Sequence, residues 1–235
     1  VSIVNRNVAS GVNQFVLHGY ASRYEFINTT ANKWPGWAPF DESSNYKGVY
    51  EAWGERNPVW ENFEVIGDYM SRIQTVTQAG TAKKDLVFYY DKLTAKQTDF
   101  NTDDGNILSQ NGYDYEFLSP RVLDEEHAYV EDGVLAPESA AYRAMIFNHQ
   151  EDLSLETLSV IRGYAENGLP VIFLGDLPGK VTSYANYEAD CASLKTGLQD
   201  LLKLDNVYQI SSEEELVPLL KGIGIEPAAN YETSS

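Results

Sequence analysis

Residues 144–175 read AMIFNHQEDLSLETLSVIRGYAENGLPVIFLG. Ala144-Met-Ile-Phe-Asn148 and Val171-Ile-Phe-Leu174 are short, unbroken apolar runs of the kind buried on both faces of a sheet. Between them Leu158, Ile161 and Ala165 recur at helical spacing. Ser154 is placed to cap that helix, and Asn167-Gly168 ahead of Pro170 is placed to stop it. Strand, helix and strand in this order make a parallel crossover unit.

The alternation continues on both sides of this unit. Asp85-Leu-Val-Phe-Tyr-Tyr90 is a second buried-type strand, and residues 115–123 carry a helical pattern. Tyr129-Val130 and Val134-Leu135 flank Asp132-Gly133, the sequence of a tight hairpin. A helix over 187–203 leads to the strand Val207-Tyr-Gln-Ile210. Ser212 and Glu215 then have capping-box spacing for a short final helix bent at Pro218. Strands alternating with helices predict an α/β fold: a flavodoxin-like three-layer parallel sheet domain over residues 81–227, with 228–235 as tail or linker.

Residues 1–80 read differently. Residues 11–18 are β-prone and end in His18. A long loop follows, dense in Tyr20, Tyr24, Trp34, Trp37, Trp53 and acidic residues. A helix comes next, with Asn57 and Pro58 placed to start it, Phe63, Ile66, Met70, Ile73 and Thr77 along one face, and Gly80 to close it. Strand, long loop and covering helix form one β/α unit, which cannot bury a core alone. Residues 1–80 are therefore expected to be one β/α unit of a barrel or open α/β sheet, in a piece cut or processed from a larger polypeptide that supplies the pairing strands.

Composition narrows the partners. The chain has 235 residues and a formal charge of −18, a field that repels nucleic acid and anionic membrane. No apolar run approaches a membrane span, and no signal-peptide pattern opens the chain. The single cysteine, Cys191, excludes an internal disulfide and reads as a small packed hydrophobe. One glycosylation sequon, Asn28-Thr29-Thr30, lies in the aromatic loop.

The strand ends of the sheet domain carry little recognisable chemistry. Gly175-Asp-Leu-Pro-Gly179-Lys180 is one residue short of a phosphate loop, and Val181 stands where a magnesium-binding hydroxyl is needed. His149, with Glu151 and Asp152 close by, reads as a capped polar loop. Asp103-Asp104-Gly105-Asn106 lacks the offsets of a calcium loop, and no His/Cys cluster has zinc spacing. The domain is expected to be structural.

The aromatic loop holds the better candidates. Indole faces stack on sugar rings, and carboxylates hold their hydroxyls. His18 at a strand's carboxyl end would project into a barrel mouth. His18, Trp34, Trp37, Asp41 and Trp53 are the candidate substrate contacts. Glu25 is the candidate catalytic carboxylate, with Asp41, Glu51 and Glu55 as the other acids within reach. Glycoside hydrolysis needs two such groups, one as acid and one as base or nucleophile. Glu55-Arg56 reads equally as an ion pair at the helix start.

Taken together, Gly11-Val-Asn-Gln-Phe-Val-Leu-His18, the Pro35-Gly36 loop and residues 60–80 with Tyr69, Arg72, Gln74 and Gln78 resemble the family 106 glycoside hydrolases, the large α-L-rhamnosidases. So do Asp85-Leu-Val-Phe-Tyr-Tyr90, Gly112-Tyr-Asp-Tyr115, Gly133-Val-Leu-Ala-Pro137 and Tyr142-Arg-Ala-Met-Ile-Phe147. The resemblance implies that residues 1–80 are the C-terminal part of a catalytic (β/α)8 barrel and 81–227 a flavodoxin-like accessory domain, with β-sandwich modules beginning near Ile225-Glu-Pro-Ala228. It implies a substrate-contacting role for His18, catalytic glutamates mostly on earlier barrel strands, an association with calcium, and a secreted, extracellular protein. The Trp34-Pro-Gly-Trp37 surroundings depart from the commoner loop, which leaves the sugar open.

These expectations converge on part of a secreted glycoside hydrolase, exo-acting and rhamnosidase-like on plant-type polysaccharide. Its partners would be a carbohydrate substrate and the remaining parts of a larger hydrolase. The alternative is a non-catalytic carbohydrate-binding or scaffolding module. A flavodoxin-like small-molecule binder is a third reading, which the missing phosphate-cradling glycine loop disfavours.

Overall fold

The computed structural model describes residues 2–17, 60–91 and 106–229, which fall in two units, 1–81 and 82–235. The described residues of the first unit hold two helices, α1 (Ser2–Ala9) and α2 (Phe63–Gln78). A single 3-10 turn, Trp60–Asn62, leads into α2. The turn begins beyond the expected start at Asn57-Pro58, which lies outside the described residues. Gly80 does not close α2 in a left-handed conformation. The helix stops at Ala79, whose N–H reaches back to the Val76 carbonyl.

Residues 12–17, expected as a strand, are in no β-ladder. Among the described residues of this unit there is no strand to pair with them. Side chains of α2 take over the role of partners: the Phe15 N–H donates to Gln74 Oε1 at 2.8 Å, and Gln78 Nε2 donates to the Asn13 carbonyl at 2.7 Å. Lacking a sheet to cover them, Val16 and Leu17 are exposed.

In the second unit, five strands form one parallel sheet in the order β2-β1-β5-β6-β7. These are β1 (Leu86–Tyr89), β2 (Tyr115–Leu118), β5 (Ala144–Asn148), β6 (Val171–Leu174) and β7 (Val207–Ile210). The remaining strands, β3 (Val130–Glu131) and β4 (Val134–Leu135), make the small hairpin. Asp132 and Gly133 at its turn both have positive φ, the backbone that a two-residue hairpin of matching twist demands.

Alternation along the strands sorts side chains to two faces. Val87, Tyr89, Met145, Phe147, Val171 and Phe173 share one core with Leu158 and Ile161 of α4 (Leu155–Glu166) and Leu194 and Leu198 of α5 (Tyr187–Leu201). On that face Tyr89, Phe147 and Phe173 stack across three strands, their centroids 4.9 and 5.0 Å apart. Leu86, Phe88, Ala144, Ile146, Ile172 and Leu174 share the other core with Leu108 of α3 (Ile107–Gln110) and Leu216 and Leu220 of α6 (Leu216–Gly222). Helices therefore cover both sides, which is why the strands read as unbroken apolar runs.

Local signals behave as their chemistry requires. Ser154 Oγ accepts from the Thr157 N–H at 2.9 Å, and the Glu215 carboxylate accepts from the Ser212 N–H at 3.2 Å. Pro218 does not break its helix, because it falls within the first turn of α6.

The helical pattern at 115–123 is overturned. Residues 115–118 are β2, paired with β1 from Leu86↔Tyr115 to Tyr89↔Leu118, and Pro120–Asp124 is a 3-10 turn. Tyr115 and Phe117 both pack on Phe88, with centroids 5.2 and 5.6 Å away. Ladder bonds and ring packing outweigh a helical spacing of this length, and Pro120 cannot continue a helix.

At the amino edge of the sheet, one carboxylate ties several segments together. Asp85 is 4% exposed and accepts from the Asp114 N–H at 3.0 Å, from the Ala228 N–H at 3.1 Å and from the Arg143 guanidinium. Arg143 also donates to the Glu226 carbonyl, and the Tyr113 hydroxyl to the Ile225 carbonyl. Gly112 has φ +83, and a Cβ there would sit 1.7 Å from the Ala229 carbonyl oxygen, so only glycine lets the tail pass. Asp85→Ala strands all three donors. Its expected cost is about 3 kcal/mol, seen as a lower urea midpoint at unchanged slope. Arg143→Ala should cost less, because that side chain is 34% exposed and water can replace it. Equal losses for the two would show that the carboxylate is not the tie.

Candidate functional site

Glu25, His18, Trp34, Trp37, Asp41 and Trp53 lie outside the described residues, as do Glu51, Glu55 and Arg56. Among the described residues a crevice of about 390 Å³ opens at the carboxyl edge of the sheet, between the segments that follow β5 and β6. Parallel neighbours place the loops after their carboxyl ends side by side, and ligands of open α/β sheets bind outside such ends.

One wall follows β5. His149 takes up a left-handed backbone, φ 47, while its N–H still continues the ladder to the Leu174 carbonyl at 2.9 Å. Gln150 is 2% exposed and turns its amide back onto the Asp152 carbonyl at 2.7 Å. Glu151 points outward. The other wall follows β6. Gly175, φ +88, donates its N–H to the Ile210 carbonyl at 2.8 Å, and Asp176, Leu177, Gly179 and Lys180 carry the wall onward. The walls are stitched together at the far side: the Gly179 N–H donates to the Glu151 carbonyl at 3.0 Å and the Leu153 N–H to the Lys180 carbonyl at 2.9 Å. Across the opening, Lys180 Nζ and Glu151 Oε2 are 3.8 Å apart, both exposed, so this pair adds little stability.

The floor is where the two walls meet. A Cβ on Gly175 would come within 2.4 Å of the His149 Nδ1, so the imidazole lies directly against the glycine. A non-glycine residue in the left-handed region costs of order 1 kcal/mol and persists only when its surroundings hold it. Below the floor, Tyr89 is buried and held by Thr157. Burial, reinforced by Asp91 and Asp152, pushes its phenol up to about 12.

Taken one at a time, residues 149–152 have the sequence of a capped polar loop and 175–180 that of an incomplete phosphate loop. The adjacency of β5 and β6 was the signal that joins them. The chain matches the family 106 glycoside hydrolase model, described as alpha-L-rhamnosidase, over residues 2–226. It belongs to that family. No curated protein matches it significantly. Among solved structures it is similar to the rhamnosidase from Novosphingobium sp. PP1Y, with 16% identity, a TM-score of 0.53, 78% of this chain covered and 18% of that one. At that identity the likeness speaks for the fold alone. A second structure, the apo exo-carrageenase GH42 from Bacteroides ovatus, shares 13% identity over 73% of this chain and 22% of its own, at a TM-score of 0.35. That likeness is too loose to carry an argument. The chain thus spans about 18% of the length of that rhamnosidase.

Two outcomes are expected within this unit. Gly175→Ala should cost roughly 1–3 kcal/mol through strain and displacement of His149. Adding His149→Gly should recover part of that loss in thermal unfolding, a coupling that contacting residues show; strict additivity would separate the two residues. For Tyr89, the folded protein keeps its proton where the unfolded chain, with an ordinary phenol near 10, has lost it. Stability from this group is therefore intact below about pH 10 and falls by up to about 1.4 kcal/mol per unit toward pH 12. In Tyr89→Phe the decline in urea midpoint over that range should be shallower; an unchanged slope would rule out the phenol as its source.

Proposed function

We propose that the chain is part of an α-L-rhamnosidase-type glycoside hydrolase, secreted and exo-acting on plant-type polysaccharide. The observation that carries this reading is the family match, which runs through both units from residue 2 to residue 226. On this reading residues 1–80 are the last units of a (β/α)8 barrel, and 81–227 a flavodoxin-like accessory domain. The strand order β2-β1-β5-β6-β7 supports the second assignment, since it is the flavodoxin order of an open parallel sheet. The extracellular location rests on the family resemblance together with the sequon at Asn28.

The chemistry is a two-carboxylate displacement at the anomeric carbon. One carboxylic acid protonates the departing glycosidic oxygen, while the other carboxylate attacks the sugar or activates the attacking water. Glu25 is the catalytic carboxylate proposed from this chain. His18, Asp41 and the Trp34, Trp37 and Trp53 rings would bind the sugar. Among the described residues no cluster of three His, Cys, Asp or Glu side chains fits a metal ion, so no step is assigned to calcium. Nor, among them, is any helix long and apolar enough to cross a membrane.

The test follows phenolate release from an aryl α-L-rhamnoside. The native polypeptide carrying this sequence should turn it over, and Glu25→Gln should lower kcat by about 10²–10⁴ with KM little changed. His18→Ala should act mainly through KM. The isolated 235 residues should be inactive; turnover by them alone would overturn the partial-barrel assignment. Failure of the native polypeptide on every α-L-rhamnoside would sink the activity itself.

A further inference from the structure

The crevice between the β5 and β6 loops has the properties of a binding site that no part of the glycosidase reading requires. Its walls are fixed to each other by backbone hydrogen bonds, and its floor holds a strained His149 that only Gly175 accommodates. Preorganised walls reduce the ordering cost of binding. At the opposite, amino edge of the same sheet the tail at residues 225–229 is docked through the Tyr113 hydroxyl, Asp85 and the Gly112 carbonyl.

The lining decides the class of ligand. Glu151 and Asp176 present carboxylate acceptors, Lys180 presents an ammonium donor, and the His149 imidazole adds a ring nitrogen. A phosphate or other polyanion would meet two carboxylates against one lysine, on a chain whose formal charge is −18. A divalent cation would lack three ligands, since the described residues offer no such cluster. An apolar ligand would find one leucine, Leu177. A neutral molecule carrying several hydroxyls meets both signs of partner at once, because each hydroxyl donates and accepts.

Two exposed rings follow the crevice's second wall within seven residues of Lys180 in sequence, a wall where Asp152 and Lys180 pair through a backbone β-bridge. Tyr187 is 42% exposed. Tyr184, three residues earlier, is 98% exposed. Exposed rings beside polar side chains are the combination that takes the apolar face and polar rim of a sugar together.

We propose that this crevice is a second saccharide-binding site, holding one neutral pyranose unit through hydrogen bonds to Glu151, Asp176, Lys180 and His149. It would anchor glycan on the sheet unit without cleaving it. The location rests on the crevice alone; the choice of sugar over other polyols rests on the glycosidase reading.

The experiment is an amide-resolved NMR titration of the whole chain with L-rhamnose, D-galactose and D-glucose, and separately with inorganic phosphate. At least one sugar should move the amides of Gly175, Asp176 and Gly179 saturably, with a Kd on the order of millimolar. Asp176→Ala and Glu151→Gln, both at exposed positions, should keep the native amide spectrum and weaken that sugar about tenfold or more. Sugar shifts that survive both substitutions would overturn the assignment, as would phosphate moving these amides when no sugar does. Sugar shifts confined to residues 18–56 would also overturn it, while leaving the glycosidase reading untouched. Rhamnoside turnover by the native polypeptide tests that reading separately, so the two failures are distinguishable.

Discussion

A parallel sheet cannot leave either face to water, because its crossover connections run over both, and every strand residue must then be apolar or explicitly satisfied. The second unit is built around this constraint. β1, β5 and β6 are buried at every position. Their odd and even side chains feed two separate cores, one closed by α4 and α5 and the other by α3 and α6. Loss of any one helix would expose a row of Phe, Leu and Ile on one face, each worth about 1.5–3 kcal/mol on burial. The helices are short and carry little intrinsic stability, so sheet and helices are stable only together.

That arrangement leaves the two edges of the sheet to be managed by other means, and they are managed differently. At the amino edge, Asp85 ties the starts of β1, β2 and β5 to the tail through two backbone N–H groups and Arg143. A buried charge is tolerable there because its acceptor sites are filled. At the carboxyl edge the backbone is held apart instead. His149 and Gly175 both adopt positive φ and turn the chain out of the ladder immediately after its last bonds. The crevice is the space opened by those two turns. Strain at one edge and saturation at the other are consistent with a scaffold that is rigid below and accessible above.

The parts of this architecture legible in the sequence are those set by local chemistry. Burial on both faces made 144–148 and 171–174 readable as strands, and Ser154, Asn167-Gly168 and Asp132-Gly133 announced their cap, stop and turn. What was not legible depends on distant partners. Residues 115–118 have a spacing compatible with either period, and only Phe88 and the β1 ladder decide for strand. Residues 12–17 look like a strand but pair with glutamines of α2, a contact that composition cannot announce. The crevice was invisible for the same reason: its walls begin 26 residues apart in sequence, at His149 and Gly175, and meet only because β6 pairs with β5.

Family membership and low identity are compatible because they draw on different residues. A core keeps its architecture when volumes and pattern are retained, so a fold likeness at 16% identity is unsurprising. A site has no such freedom, since changing one carboxylate changes its chemistry, and fold alone does not specify which reaction a scaffold supports. The family match therefore constrains what the polypeptide as a whole is built to do. What the sheet unit itself does must come from its own side chains. Those lining its carboxyl edge are too polar for an apolar ligand and too rich in carboxylate for a polyanion. They are suited to a neutral ligand with many hydroxyls, which is also the kind of molecule on which a glycoside hydrolase acts.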